Sequence, residues 1–203
     1  MSMTHAADRT PTIASAESCT ATVILDAATK EFDECGFSGA SVTQIANRAG
    51  TSRSLVSYYF PTKSRIASTI VRMAYPGGIF MGINREASDP LDAISQAAEH
   101  VSTCFVHHPL ARVALKLQRS RDVQLDGAPA RCNGWIVRVG DYLDEARRDG
   151  LIPMDTDVPV QARLLVAGIV GIIEIAFTTG NYLAVIDDCV VVSRDRIDML
   201  RNG

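Results

Sequence analysis

The 203-residue chain is poor in the features that usually announce a chemistry. Its five cysteines, Cys19, Cys35, Cys104, Cys132 and Cys189, are an odd number and form no C-x-x-C pair. That argues against a disulfide framework and for reduced thiols in a cytoplasm. Residues 1–18 hold no continuous apolar run, so they read as a flexible tail rather than a signal peptide. The tail carries a single arginine, Arg9, that could reach a minor groove. There is no G-x-G-x-x-G, no P-loop, no H-E-x-x-H and no G-x-S-x-G. Cys104 with His107 and His108 is the only suggestive nucleophile cluster, and no Asp or Asn partner is evident. The chain therefore reads as a non-enzyme without a cofactor, a small enzyme using Cys104 and His107 being the remote alternative. His100, Cys104 and His107 share one helix face, but structural zinc wants four ligands, and no metal is expected there.

Acidic residues are missing where basic ones gather. From Cys35 to Arg85 there is no Asp or Glu, while Arg48, Arg53, Lys63, Arg65, Arg72 and Arg85 are basic. The whole chain is net −3, so this stretch at +6 leaves −9 for the remainder. A basic patch on an acidic molecule is an electrostatic footprint for nucleic acid.

Within that stretch, residues 41–60 read SVTQIANRAGTSRSLVSYYF. Ser41 with Gln44 fits a capping box, Val42, Ile45 and Ala46 share one helical face, and Gly50 ends the helix. Ser52 caps a second short helix that Pro61 closes, and Thr62 caps a third starting at Lys63. Two short helices around a glycine turn form a helix-turn-helix, whose second helix can enter a major groove. The groove-facing positions are Arg53, Ser54, Ser57 and Tyr58. Thr43, Ser52, Tyr59 and Lys63 are placed for phosphates, beside the capping pair Ser41 and Gln44.

Residues 21–72 resemble the N-terminal domain of the TetR family of bacterial repressors. The matching segments are ILDAATKEFDECGF, SVTQIANRAG and TSRSLVSYYFPTKS, with Tyr59-Phe60-Pro61-Thr62-Lys63 the most specific part. Many members carry tyrosine where this chain has Ser57 and glycine where it has Ser54. The resemblance implies an all-α fold of about nine helices. Its parts would be a tail over 1–18, a DNA-binding domain over 19–66 and a ligand-binding and dimerisation domain over 67–203.

The C-terminal part agrees in outline. Asp89-Pro90 opens a fifth helix with the stripe Ala93, Ile94, Ala97, Val101, Cys104 and Phe105, and Pro109 opens a sixth. Helix four, through about Ala74, turns Ile66, Ile70, Val71 and Met73 inward, and Pro76-Gly77-Gly78 is either a hinge or a plain turn. Trp135, the only tryptophan, begins a face continued by Val139, Tyr142, Leu143 and Ala146. Core packing is its ordinary role; a flat wall for a small apolar molecule is the other. Pro109, Arg112, Leu115, Lys116 and Leu117, then Trp135, Leu143, Ala146 and Gly150, are similar to the γ-butyrolactone receptor branch of that family. Trp135 then implies a pocket wall, with Leu115, Gln118, Val139, Val170 and Glu174 as further lining candidates. Glu174 is either a pocket hydrogen-bonding group or a rim residue.

Residues 158–177 are the most apolar segment, interrupted by Arg163 and Glu174, and read as too short and too marked for a membrane span. A helix apolar nearly all round must be buried, and a second subunit is the economical cover. The last helix, about 184–200, would complete a four-helix homodimer interface. The expected whole is a cytoplasmic, homodimeric transcriptional repressor on a near-palindromic double-stranded operator. A small apolar effector, γ-butyrolactone- or furan-like, would release it. An effector-independent regulator or an activator is the alternative.

Overall fold

The computed structural model describes residues 13–75, 87, 89–126 and 132–202, with side chains from Cys19 onward. Nine α-helices and no strand lie among the described residues. They are α1 (Ile13–Gly39), α2 (Val42–Arg48), α3 (Arg53–Tyr59), α4 (Lys63–Met73) and α5 (Pro90–His107), followed by α6 (Pro109–Arg119), α7 (Asn133–Arg148), α8 (Val158–Thr179) and α9 (Val185–Asn202). Helix α1 already includes residues 13–18, which the sequence had suggested were tail; Arg9 and Pro76-Gly77-Gly78 lie outside the described residues.

Local chemistry sets the helix starts. Ser41, Ser52 and Thr62 each accept a backbone N–H three residues on, and Asp89 accepts from both Leu91 and Asp92. Such a cap stabilises a helix by about 1 kcal/mol, which matters most for α2 and α3, seven residues each. The Ser41–Gln44 capping box forms in both directions. Helix α1 breaks at Gly36 (φ 69°, ψ 176°), where the sequence placed its stop.

One apolar cluster runs through both parts of the molecule, and a second lies within the C-terminal bundle. Ile24, Ala28 and Phe32 of α1 pack with Ile45 of α2, Val56 of α3, and Ile66 and Ile70 of α4, all essentially inaccessible. The second part packs α5 against α9 and α7, and α8 against α7 and α9. Helix α6 lies against α1 and α4, so it is the element joining the two parts. Met73, expected inside, is 45% exposed, because the last turn of α4 buries Val71 and Ala74 instead.

Helix α8 is, at 22 residues, long and apolar enough to cross a bilayer, contrary to the length argument above. Its packing is what places it in a helical bundle. Val158, Ala162, Leu165, Val166, Ile169, Ile173 and Ala176 are buried on one side. Gly168 admits α9 closely: a Cβ there would meet Val192 Cγ1 at 2.7 Å. The opposite side shows Leu164 (47% exposed), Ala167 and Ile175 (65% exposed), with open space at Gly171.

Candidate DNA-reading face and cavity

The exposed face of α3 carries Arg53, Ser54, Ser57 and Tyr58, the last 71% exposed. Val56 is buried beneath them, and Tyr59 stands edge-on to Tyr58 at 5.3 Å. Thr43 and Ser52 are exposed on the same two-helix unit, Ser52 with its Oγ used as the cap of α3. All ten residues expected to meet DNA thus fall within α2, α3, their caps and the start of α4, but they are not equally available. Gln44 Oε1 accepts from the Ser41 backbone N–H at 3.0 Å and from its hydroxyl at 2.5 Å, so the pair's first task is capping.

Lys63 is engaged in the fold. Its ammonium donates to the carbonyls of Phe37 (2.6 Å) and Ala40 (2.7 Å) and sits 4.3 Å from the centre of the Phe37 ring. Burial pulls its pKa below the ordinary lysine value. An ammonium has three donors, so at most one remains for a phosphate; Lys63 chiefly ties α4 to the end of α1.

The basic tally also changes in three dimensions. Arg48 pairs with Glu31 (2.8 Å) and with Glu34 through both guanidinium nitrogens (2.9 and 2.5 Å). Those carboxylates lie on α1, upstream of the acid-free stretch, so Arg48 clamps α2 to α1 and contributes little net charge outward. Arg53 and Arg65 are exposed with no ion pair among the described residues, and they carry the positive potential of this face.

The other candidate site is split. One cavity, about 520 Å³ of space including its mouth, lies among α5, α7, α8 and α9. Ile94, Val101, Val139, Leu165 and Ile169 dominate its wall, and Arg138, Tyr142 and Ser193 are its polar-bearing residues. A second, of about 300 Å³, lies among the end of α4, α6, α7 and α8, walled by Tyr75, Leu115, Val170, Ile173, Glu174 and Phe177. Trp135, 9% exposed, lines both.

The expected lining residues therefore divide. Leu115, Val170 and Glu174 face the smaller cavity and Val139 the larger, with Trp135 between. Gln118 lines neither, and meets the smaller one through Tyr75, whose hydroxyl donates to Gln118 Oε1 at 2.7 Å. Glu174 is at once lining and rim: it pairs with Arg119 at 2.8 Å, and that guanidinium lies 4.6 Å from the centre of the Phe177 ring. Sequence reasoning misses Tyr75 and Phe177; the only signal is that each is an aromatic near the end of an apolar helix, α4 and α8 respectively.

The α5 cluster forms only in part. Cys104 Sγ lies 3.6 Å from His100 Nε2, and burial pushes its thiol above the ordinary value, which disfavours the thiolate a nucleophile needs. His107 is exposed. No group of three His, Cys, Asp or Glu placed for a metal occurs among the described residues.

The capped, solvent-facing α3, flanked by exposed arginines, thus sits on a helix-turn-helix unit that α6 joins to a cavity-bearing helical bundle. The profile of bacterial regulatory proteins, tetR family, matches residues 24–69. The A-factor receptor protein of Streptomyces griseus is 25% identical over 149 residues, 73% of this chain. Those residues span 52% of that protein, so the chain matches about half the length of that curated relative. A solved structure described as the molecular basis for control of antibiotic production by bacterial hormones superposes with a TM-score of 0.78 at 24% identity, covering 90% of this chain and 98% of the other. A γ-butyrolactone receptor, described as ArpA-like, gives 0.62 at 18% identity over 88% and 99%. Residues 24–69 thus match the DNA-binding domain of the TetR family, and the chain as a whole shares its fold with solved γ-butyrolactone receptor structures.

Proposed function

We propose that the protein is a homodimeric repressor that reads a near-palindromic operator with α3 and leaves it when a small apolar molecule enters the cavities beside Trp135. The observation that carries the DNA half is the α3 face, where Arg53, Ser54, Ser57 and Tyr58 project over a fully buried Val56. Arg53 supplies the bidentate donor that reads a guanine edge. The dimer rests on the unpartnered apolar stripe of α8 with α9, where Val191 and Met199 are exposed beside Leu164 and Ile175. Two copies would set their recognition helices roughly 34–36 Å apart, one turn of DNA. The functional division falls near residue 66, inside α4.

The effector reading rests on the apolar wall around a single indole and on the likeness to an A-factor receptor and to a γ-butyrolactone receptor. A γ-butyrolactone or furan compound fits as a class: a hydrocarbon body for the larger cavity, and a compact polar ring for Tyr75 and Glu174 at the smaller. Release requires only that such a molecule favour one of two subunit arrangements, with typically ~1–3 kcal/mol of coupling. The protein would act on cytoplasmic DNA. The test starts from duplexes selected out of a random library. Affinity for the selected operator should fall steeply with salt, as phosphate contacts demand. Added 2-acyl-γ-butyrolactone should weaken it, and operator should weaken lactone binding by the same factor. Lactone binding that leaves operator affinity unchanged would make the protein an effector-independent regulator.

A further inference from the structure

The two parts of the molecule are joined by one ionic cluster that the functional reading above does not use. Asp33, on α1, receives Arg112 of α6 through Nη2 (2.6 Å) and Nε (3.2 Å) and Lys116 of α6 at 2.7 Å. Lys116 also donates to the Asp33 carbonyl at 2.9 Å. All three side chains are less than a third exposed. Arg112 does more than pair: its Nη1 donates to the carbonyls of Phe105 (3.3 Å) and Val106 (3.0 Å) at the end of α5.

Phe105 is fully buried and is the hub of an aromatic cluster. Phe177 meets it edge-on at 5.0 Å and Tyr182 at 5.5 Å, and Arg112 lies 6.0 Å from the Tyr182 ring centre. Phe177 is also a wall of the smaller cavity. A continuous packed route therefore runs from the cavity wall through Phe177 and Phe105 to Arg112, and from there to Asp33 beneath the DNA-reading unit. Rings in edge-on contact within a close-packed core do not deform gradually; a displaced ring moves its neighbour.

We infer that Asp33 is a positioning residue, the joint through which a change at the Phe177 wall of the cavity is passed, by way of Arg112, to helix α1. Displacement of Phe177 shifts the end of α5, withdraws the carbonyls that aim the Arg112 guanidinium, and loosens α6 from α1. The coupling itself is independent of the proposed function; only its use in operator release rests on that reading.

Hydrogen exchange of the full chain, read on α1 residues 28–36, supplies the measurement without DNA or effector. Phe177→Leu keeps an apolar side chain but loses the edge contact, and should speed exchange there roughly tenfold, as local opening of a joint does. Asp33→Asn should do the same. The double variant should be no faster than the faster single one, because both break one connection, and Asp33→Glu should restore most of the protection. Phe177→Leu leaving residues 28–36 at the wild-type rate overturns the inference, as does a double variant whose effects multiply. Should Asp33→Asn not fold, Arg112→Lys takes its place, since it keeps the charge and loses the fork that spans Asp33 and the two carbonyls. A second arm separates the two readings. In Asp33→Asn, a 2-acyl-γ-butyrolactone should still bind while selected operator no longer responds to it. If no such lactone binds the wild type, the effector reading falls and the exchange result stands.

Discussion

The solvent-facing sides of α3 and α8 differ in kind. On α3 the exposed groups are Arg53, Ser54, Ser57 and Tyr58, side chains that satisfy themselves in water and can exchange water for a phosphate or a base edge, with Leu55 the one exposed aliphatic side chain. On α8 an apolar stripe of Leu164, Ala167, Gly171 and Ile175, which gain nothing from water, runs along the outer side, with Arg163 exposed next to its start. Apolar area left exposed forgoes about 25 cal/mol per Å² of stabilisation, so a contiguous stripe asks for a permanent partner. A polar face built over a rigid core asks for a reversible one. The contrast separates the surface suited to a ligand that comes and goes from the surface suited to a subunit that stays.

Substitutions can break the contrast, beginning with the largest effect. Trp135 belongs to the core as well as to both cavities, so Trp135→Ala should cost about 3–5 kcal/mol of stability in urea denaturation. Trp135→Phe should cost much less and still impair the response to lactone, which is the fairer test of a pocket role. On the permanent side, Ile175→Glu should give a monomer by sedimentation at micromolar concentration. It should also lower operator affinity at least about 100-fold, through loss of two-site binding. A variant that stays dimeric would move the subunit interface off α8.

On the reversible side two arginines separate. Arg53→Ala should weaken operator binding by about 1–3 kcal/mol and relax preference at one base per half-site, with unfolding almost unchanged. Arg48→Ala should do the reverse. It strands Glu31, whose side chain is 6% exposed, and should lower the urea midpoint, by less than loss of a fully buried pair because Arg48 is a third exposed. An equal loss of operator affinity in both variants would return Arg48 to the DNA face.

The smallest effect is a pH dependence. Burial alone would raise the Asp33 carboxyl, but hydrogen bonds from Arg112 and Lys116 outweigh it and hold the folded pKa below the ordinary range. A depressed carboxylate contributes stability that is complete above its unfolded pKa, about 4, and is lost as pH falls through the folded value. Asp33→Asn should therefore be less stable than wild type by a constant amount from about pH 5 to 8, with the gap narrowing only below about pH 4. A gap that closes near neutrality would mean another group titrates in this cluster.

Local punctuation made much of the fold legible. Ser41, Ser52, Thr62 and Asp89 are caps because their oxygens lie one turn from orphan N–H groups, a relation that depends only on spacing along the chain. The exposed α3 face follows from the same periodicity. Less legible was what each cation does. Arg48 and Lys63 sit in a stretch free of acids, yet their partners come from α1 and from Ala40 just beyond it, at a separation of 14 to 26 residues. The membrane-span argument from the length of α8 failed for a similar reason, since its packing and not its length sets its place. The pocket was half legible: Trp135 stood out as a lone indole, whereas Tyr75 and Phe177 acquire meaning only when α4 and α8 converge on it.

By itself the sequence determined the helices, their caps, the presence of a helix-turn-helix and the apolar surplus of α8, since each depends on relations within a few turns of chain. Tertiary structure alone decided that Arg48 and Lys63 are clamps, that Trp135 divides two cavities, and that Asp33 meets Arg112 across the seam between the two parts. Charge pairing and cavity walls are set by distance in space, and distance in space is what the order of residues along a chain does not carry.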